Sequence, residues 1–258
     1  MSEFALRYLG FYSVLRREVT RFWSIRRQTL LAPLLETYLY ITIFGAALGS
    51  RINELNGVPY IVFVMPGLLM MSFAMNAYSN NSSTIIQQKL QHAIEDQLAS
   101  PVSNIQLMLA YTLGGLLRGA LVSGLAFITA NLLLDLPMHN PFIFFGGLLV
   151  TALFFASAGV LVGTYAEKFD TISFYQTFVI QPLIFLGGVF YSVSLLPPVA
   201  QTISHFNPIF YMINTIRYGM TGVSDVAWWI GMLIAVIGAS GLFVINTWIF
   251  TRSTKLRV

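Results

Sequence analysis

The sequence predicts an all-α integral membrane protein: six transmembrane helices, an N-terminal amphipathic helix in the membrane interface, a polar helix on the cytoplasmic side, and two short re-entrant helices on the extracellular side between spans five and six. Three observations predict it. Of the 258 residues, 56% are hydrophobic and 9% are charged, with a mean hydropathy of +0.73, whereas soluble domains carry about 25% charged residues. Apolar runs recur along the chain, and at ~20 residues per crossing plus connections its length holds about six of them. A markedly polar stretch, residues 87–103, interrupts these runs. The chain reads as one domain, 1–258.

Residues 4–28 place Phe4, Tyr8, Phe11, Leu15, Val19 and Phe22 at three- and four-residue steps, with Arg7, Arg16, Arg17, Arg21, Arg26 and Arg27 mostly on other faces. Such a helix rests its aromatic side in the interface while the arginines reach headgroups. The alternative is a positive flank that only orients the first span. The same residues are too polar for a cleavable signal peptide.

The first span covers residues 30–49 and contains one acid, Glu36. A polar hinge, 50–59, leads to the second span, 60–78, whose end is marked by Asn76, Asn80 and Asn81 and in which Met65-Pro66-Gly67 predicts a kink. Two overlapping Asn-x-Ser sequons begin at Asn80 and Asn81. They are expected to face the cytoplasm and so to stay unmodified.

Residues 87–103 read as a short helix that Pro101 stops. Leu90, Ile94 and Leu98 recur at four-residue steps and share one face, while Gln91, Glu95 and Asp96 lie away from it. A charged helix with one apolar stripe, slung between spans, is suited to dock on something outside the bilayer.

The third apolar segment, 104–134, measures about 46 Å as a helix against a hydrocarbon core of ~30 Å, so it is expected to project on the cytoplasmic side. The fourth span, 142–165, lines up Ala152, Ala156, Gly159 and Gly163 for close helix packing. The fifth runs over 172–191. Residues 192–226 are too apolar for a loop and too broken for a span: Pro197-Pro198, Asn207-Pro208, Gly219 and Gly222 punctuate two short helices, 199–206 and 209–220. Helices that enter and leave by one face produce this pattern. The last span, 227–250, begins with Trp228 and Trp229 as an interfacial belt.

Charge sets the orientation. With the N-terminus inside, eleven of the fourteen basic residues fall on the cytoplasmic side, including Lys89, Lys168, Arg252, Lys255 and Arg257. Outside lie Arg51 and Arg217, with Arg118 inside a span, so both termini are expected in the cytoplasm. An ionisable group within a membrane needs a partner or a task. Glu36 and Arg118 lie at similar shallow depths and are predicted to pair across spans one and three, with Gly114, Gly115 and Gly119 permitting close approach. The functional alternative has Glu36 meeting a cationic substrate. Arg217 with Tyr218 is expected to cap its helix or snorkel to the outer interface, the other reading being a substrate phosphate or carboxylate site. Phe73, Phe174, Phe178, Phe185 and Phe190 are candidates for lining a hydrophobic conduit, against plain packing.

Several classes are excluded. There is no cysteine, and His92, His139 and His205 lack metal-ligand spacing. Basic residues gather at the two ends, toward headgroups, which does not describe a nucleic-acid footprint. No Gly-x4-Gly-Lys-[Ser/Thr] loop is present to cradle ATP phosphates. The alternative function is a stand-alone secondary transporter or channel, although such proteins usually show internal repeats and midplane carboxylates; an intramembrane enzyme would need a catalytic pair within its spans. Neither pattern is found.

The basic N-terminal helix, the six spans, Leu98-Ala99-Ser100-Pro101-Val102-Ser103, the run Phe185-Leu186-Gly187-Gly188-Val189-Phe190-Tyr191-Ser192, Leu196-Pro197-Pro198 and Asn207-Pro208-Ile209-Phe210-Tyr211-Met212 together resemble the ABC-2 type permeases. These are the membrane subunits of ABC exporters, and they include bacterial drug-export and nodulation lipo-oligosaccharide export permeases. The resemblance covers essentially the whole chain. It implies that residues 87–103 form a coupling helix seated in a groove of a separate ATPase subunit, with Gln91, Ile94, Glu95, Asp96 and Leu98 as its contacts. It also implies that the N-terminal helix touches that subunit, that two permeases pair with two ATPases, and that spans one, two and five shape the route. ATP and Mg would then be bound by the partner ATPase and this chain would be no enzyme. A multi-pass protein of the bacterial inner membrane is implied, carrying drug-like, lipidic, glycolipid or polysaccharide cargo.

Overall fold

The computed structural model describes residues 3–49, 51–52, 54–100 and 102–252, without the side chains of 3–7, 28, 46–47 and 99. Ser50, Pro101, Lys255 and Arg257, and the side chains of Phe4 and Arg7, thus lie outside the described residues.

Helix α1, Glu3–Ser24, is followed by α2, Arg26–Tyr40, which runs on without interruption as a π-helix over Ile41–Leu48. The hinge after it is ordered as a hairpin of β1, Glu54–Leu55, and β2, Val58–Pro59. Asn56 and Gly57 take φ of 52° and 81° there, the left-handed pair that a tight two-residue hairpin turn demands.

Helix α3, Tyr60–Leu90, is 31 residues long, twelve beyond the predicted end at Tyr78, and runs through Pro66. The extension is stable because the polar residues expected to end the span are used inside the protein. Asn80, Asn81 and Ser82 are fully buried, and Asn81 Nδ2 donates to the Ala156 carbonyl at 2.9 Å. The predicted 87–103 helix is correspondingly divided. Its first residues finish α3, His92 turns the chain with φ of 56°, and only Ala93–Ala99 form α4. Leu90 therefore sits outside the stripe it was expected to share, and is 56% exposed where Ile94 is 1% exposed.

Helix α5, Asn104–Leu134, has the predicted limits, because Ser103 and Gln106 form a reciprocal capping box. Helix α6, Pro141–Tyr165, starts on the Asn140 cap. Its small residues pack closely as expected, and the partner is α3: the Ala156 carbonyl accepts from Asn81, and a Cβ on Gly159 would stand 2.4 Å from the Tyr78 carbonyl oxygen and one on Gly163 2.8 Å from that of Ser82. The fifth apolar segment comprises α7, Phe169–Tyr175, a π-helical stretch Gln176–Ile180, and α8, Gln181–Leu186. It ends five residues before the predicted limit because Gly188, at φ of 83°, turns the chain.

The two short helices appear where expected, as α9, Pro198–His205, and α10, Pro208–Thr221, each with proline in its first turn. Helix α11, Trp228–Arg252, closes the described fold. Among the described residues four helices, α3, α5, α6 and α11, are long and apolar enough to cross a membrane, and α3 is the most enclosed of them. The main core gathers around α3, α6 and α10, while a second apolar cluster at the other end of the bundle joins Val14, Ile94, Met108 and Phe250.

A polar cavity and the docked polar helix

Two arrangements have functional character. The first is the clamp that holds α1 on the bundle. Its inward face is made by Phe11, Val14, Leu15, Glu18 and Phe22, while Tyr8, Tyr12 and Trp23 point out. The predicted apolar face is thus shifted, and it contains an acid. The Glu18 side chain is wholly buried against Gly114 of α5; its Oε2 accepts from Thr84 Oγ1 at 2.8 Å, and Arg17 and Arg21 each stand 3.7 Å from the carboxylate. Burial pushes the Glu18 carboxyl above the ordinary value, outweighing the opposite pull of Arg21, Thr84 and Arg17. Arg21, expected among headgroups, instead reaches inward and donates to the Asn80 carbonyl and to Asn80 Oδ1, both at 2.8 Å.

Helix α4 is fastened to this clamp. Ile94 is buried in the second cluster with Leu98 packed on its edge. Gln97 Nε2 donates to Gln88 Oε1 of α3 at 2.6 Å, and Arg17 of α1 donates to Gln97 Oε1 at 3.2 Å. The Tyr111 hydroxyl of α5 donates to Gln88 Oε1 at 2.6 Å. Of the five predicted contact residues, Gln91 and Asp96 are exposed, Glu95 and Leu98 are half-buried, and Ile94 is an internal anchor. A cleft of ≈ 700 Å³ opens beside them, with Arg16, Arg17, Gln87 and Gln91 in its walls.

The second arrangement is a cavity of ≈ 700 Å³ enclosed by α1, α2, α3, α5 and the fifth apolar segment. Glu36 and Arg118 both face it. They are not joined by an ion pair, and the open cavity lies where a Glu36–Arg118 bridge was expected. The α3 wall changes character along its length, from Ser83, Ser79 and Asn76 to Leu69, Leu68 and Met65.

None of the five candidate phenylalanines lines this cavity. Phe73 is a packing residue, 7% exposed, whose ring fills the space beside Gly119. Phe174 and Phe178 pair at 5.2 Å on an exposed surface of the fifth segment. Phe185 and Phe190 pair at 5.6 Å, and Phe190 stacks on Phe44 at 4.9 Å. Arg217 neither caps nor snorkels. It is 1% exposed, lies 3.9 Å over the Phe63 ring, and donates to the Phe63 and Gly188 carbonyls, so it staples α10 to α3 and to the turn after α8.

Two residues that matter here escaped the sequence reading. Glu18 carried a visible signal, since it is the one acid within residues 4–28 and is flanked by Arg17 and by Arg21 three residues on. Gln97 carried none, because an uncharged amide between Asp96 and Leu98 looks the same on a solvated face as in a buried junction.

The sequence matches the ABC-2 type transporter family over residues 10–221. It is 40% identical over 240 residues to the inner membrane transport permease YadH of Escherichia coli strain K12, covering 93% of this chain and 92% of that protein. It is 30% identical over 242 residues to nodulation protein J of Rhizobium leguminosarum bv. trifolii, covering 89% and 88%, and 27% identical over 221 residues to nodulation protein J of Rhizobium meliloti, covering 81% and 80%.

Proposed function

This chain belongs to the ABC-2 type transporter family, and from that premise we propose that it is the permease subunit of an ATP-driven exporter in the bacterial inner membrane. The observation that carries the proposal is the fastening of α4. Through Gln97, Gln88 and Tyr111 it is hydrogen-bonded to α1, α3 and α5, three of the elements that enclose the polar cavity. A push on α4 cannot be absorbed locally. It moves the cavity walls, as rigid-body transmission between two states of a transporter requires.

In this reading α2 with its π-helical continuation and the α7–α8 segment are the first and fifth of six spans, the termini are cytoplasmic, and α9 and α10 are re-entrant from outside. Two copies of the permease meet two ATPase subunits, which hold the ATP and Mg; this chain supplies no phosphate-binding loop of its own. The exposed Asp96 and Gln91, with Glu95, Leu98 and the α1 side of the adjoining cleft, form the surface offered to the ATPase, and Ile94 holds that surface in place. The cargo is an amphiphile of drug-like, lipidic or glycolipid kind.

The test is ATP hydrolysis by the permease reconstituted with candidate ATPase subunits, comparing wild type with a Glu95→Ala, Asp96→Ala double variant. Complex formation, altered turnover and weakened coupling in the variant are expected. If no ATPase binds while the chain alone moves solutes down an ion gradient, it is a stand-alone secondary transporter and the exporter reading is overturned.

A further inference from the structure

The α1 end of the polar cavity holds two guanidinium groups, Arg21 and Arg118. The carboxylate beside Arg21, Glu18, is itself bonded to Thr84. Arg21 is satisfied by Asn80 and Ser83. Arg118 is not: it makes no hydrogen bond or ion pair among the described residues, its Nε is buried without a partner, and the Arg21 charge repels it. A buried guanidinium nitrogen with no acceptor is costly, and the planar fork, which faces the cavity, suits the paired oxygens of a phosphate or carboxylate. Glu36, on the α2 wall of the same cavity, makes no ion pair with it.

With α1 on the cytoplasmic side, Arg118 lies in the cytoplasmic half of α5. Helix α1 crosses α5 at Gly114, where Glu18 presses on the glycine. Arg118 stands four residues further along, about 6 Å at the rise of an α-helix. Beyond it the α3 wall passes from Ser83, Ser79 and Asn76 to Leu69, Leu68 and Met65. Along α3 the wall beside Arg21 and Arg118 is hydroxylic and the wall further along is largely apolar, while Glu36, Thr37, Gln176 and Gln181 of the facing elements add polar groups to the lining.

We propose that this cavity binds an anionic amphiphile, with its phosphate or carboxylate head on Arg118 and its apolar chain along Leu68, Leu69 and Met65. The inference deepens the exporter reading by naming the charge of the molecule, and it rests on that reading for the cytoplasmic placement of α1. A transported molecule and a resident membrane lipid share this head chemistry.

The experiment uses the full-length permease in nanodiscs of zwitterionic lipid, titrated with dodecyl phosphate, dodecyl trimethylammonium and dodecyl maltoside. Dodecyl phosphate should bind at least about tenfold tighter than the other two, the size of one charge-assisted hydrogen-bonded contact. Arg118→Gln should remove that preference, Arg118→Lys should keep part of it, and neither should change maltoside binding. Equal binding of all three by wild type overturns the proposal, without need of any variant. So does preferential binding of the trimethylammonium that Glu36→Gln abolishes. With an ATPase partner added, loss of bound dodecyl phosphate on ATP turnover marks cargo and retention marks resident lipid, and both uphold the anion site. Failure of the exporter reading shows separately, as absence of an ATPase complex from a permease that still binds the phosphate.

Discussion

Glu18 Oε2 accepts a hydrogen bond from Thr84 Oγ1 at 2.8 Å, so helix α1 is fastened to α3 by a carboxylate that water does not reach. Burial holds this carboxyl above its ordinary value of 4.5. A raised folded pKa means that the folded state takes up the proton more readily. The associated stability is complete below the unfolded value and is lost as pH rises through the folded one. Docking of α1 should therefore loosen as pH rises above the ordinary carboxylate value, read as faster amide hydrogen exchange along α1 after correction for intrinsic rates. Glu18→Gln mimics the protonated acid and should flatten that dependence. Glu18→Ala should weaken docking by about 2 kcal/mol at low pH, where the wild-type acid is protonated, because it strips Thr84 and Arg21 of a buried partner, and by less as pH rises.

Arg217 tests whether the turn after α8 is held from within. Its guanidinium bridges the Phe63 and Gly188 carbonyls over the Phe63 ring. Arg217→Ala should lower stability by about 3 kcal/mol, the range for breaking a buried charged contact. Arg217→Lys should recover less than half of that, since an ammonium cannot reproduce the fork. Thermal unfolding in detergent measures both. Equal midpoints for wild type and Arg217→Ala would show that the staple carries no stability.

The limits of α5 and α6 and both short helices, α9 and α10, were legible because Ser103 with Gln106, Asn140, Pro198 and Asn207-Pro208 act locally as caps and first-turn residues. The end of α3 was not. Asn80 and Asn81 look like a polar boundary in sequence, yet they are interior because Arg21 and the Ala156 carbonyl stand opposite them. Glu36 and Arg118 fail as a pair for a related reason. Their depths follow from helical rise, but whether a cavity separates them depends on how α1, α2, α3 and α5 meet, which no local pattern encodes. The same holds for the phenylalanines, whose facing is a property of the assembled bundle.

Asn81 should distinguish a lost hydrogen bond from a buried charge. Its Nδ2 donates to the Ala156 carbonyl at 2.9 Å and its Oδ1 accepts from Asn80 Nδ2 at 3.2 Å. Asn81→Leu keeps the volume and gives up one interhelical bond, worth about 1 kcal/mol between membrane helices. Asn81→Asp sets a carboxylate against the Ala156 carbonyl in a site with no exposure, and should cost at least about 3 kcal/mol at neutral pH. The penalty should shrink on acidification as the carboxyl protonates. Denaturant titration of the two variants at neutral and acidic pH checks the order.

Gly159 and Gly124 make a matched pair, since both lie in helices long and apolar enough to cross a membrane but only one is in contact. A Cβ on Gly159 would stand 2.4 Å from the Tyr78 carbonyl oxygen and 3.1 Å from its Cα, whereas one on Gly124 would meet nothing within 4 Å. Because the obstacle at Gly159 is backbone, no rotamer change can relieve it and α3 must move away from α6. Gly159→Ala should therefore cost about 1–3 kcal/mol, the range for overpacking a filled interior. Gly124→Ala should be neutral or gain up to about 1 kcal/mol from helix propensity. Unfolding in mixed detergent with rising SDS compares the two directly. A Gly159→Ala protein as resistant as Gly124→Ala would mean that α3 and α6 meet less closely than the carbonyl of Tyr78 places them.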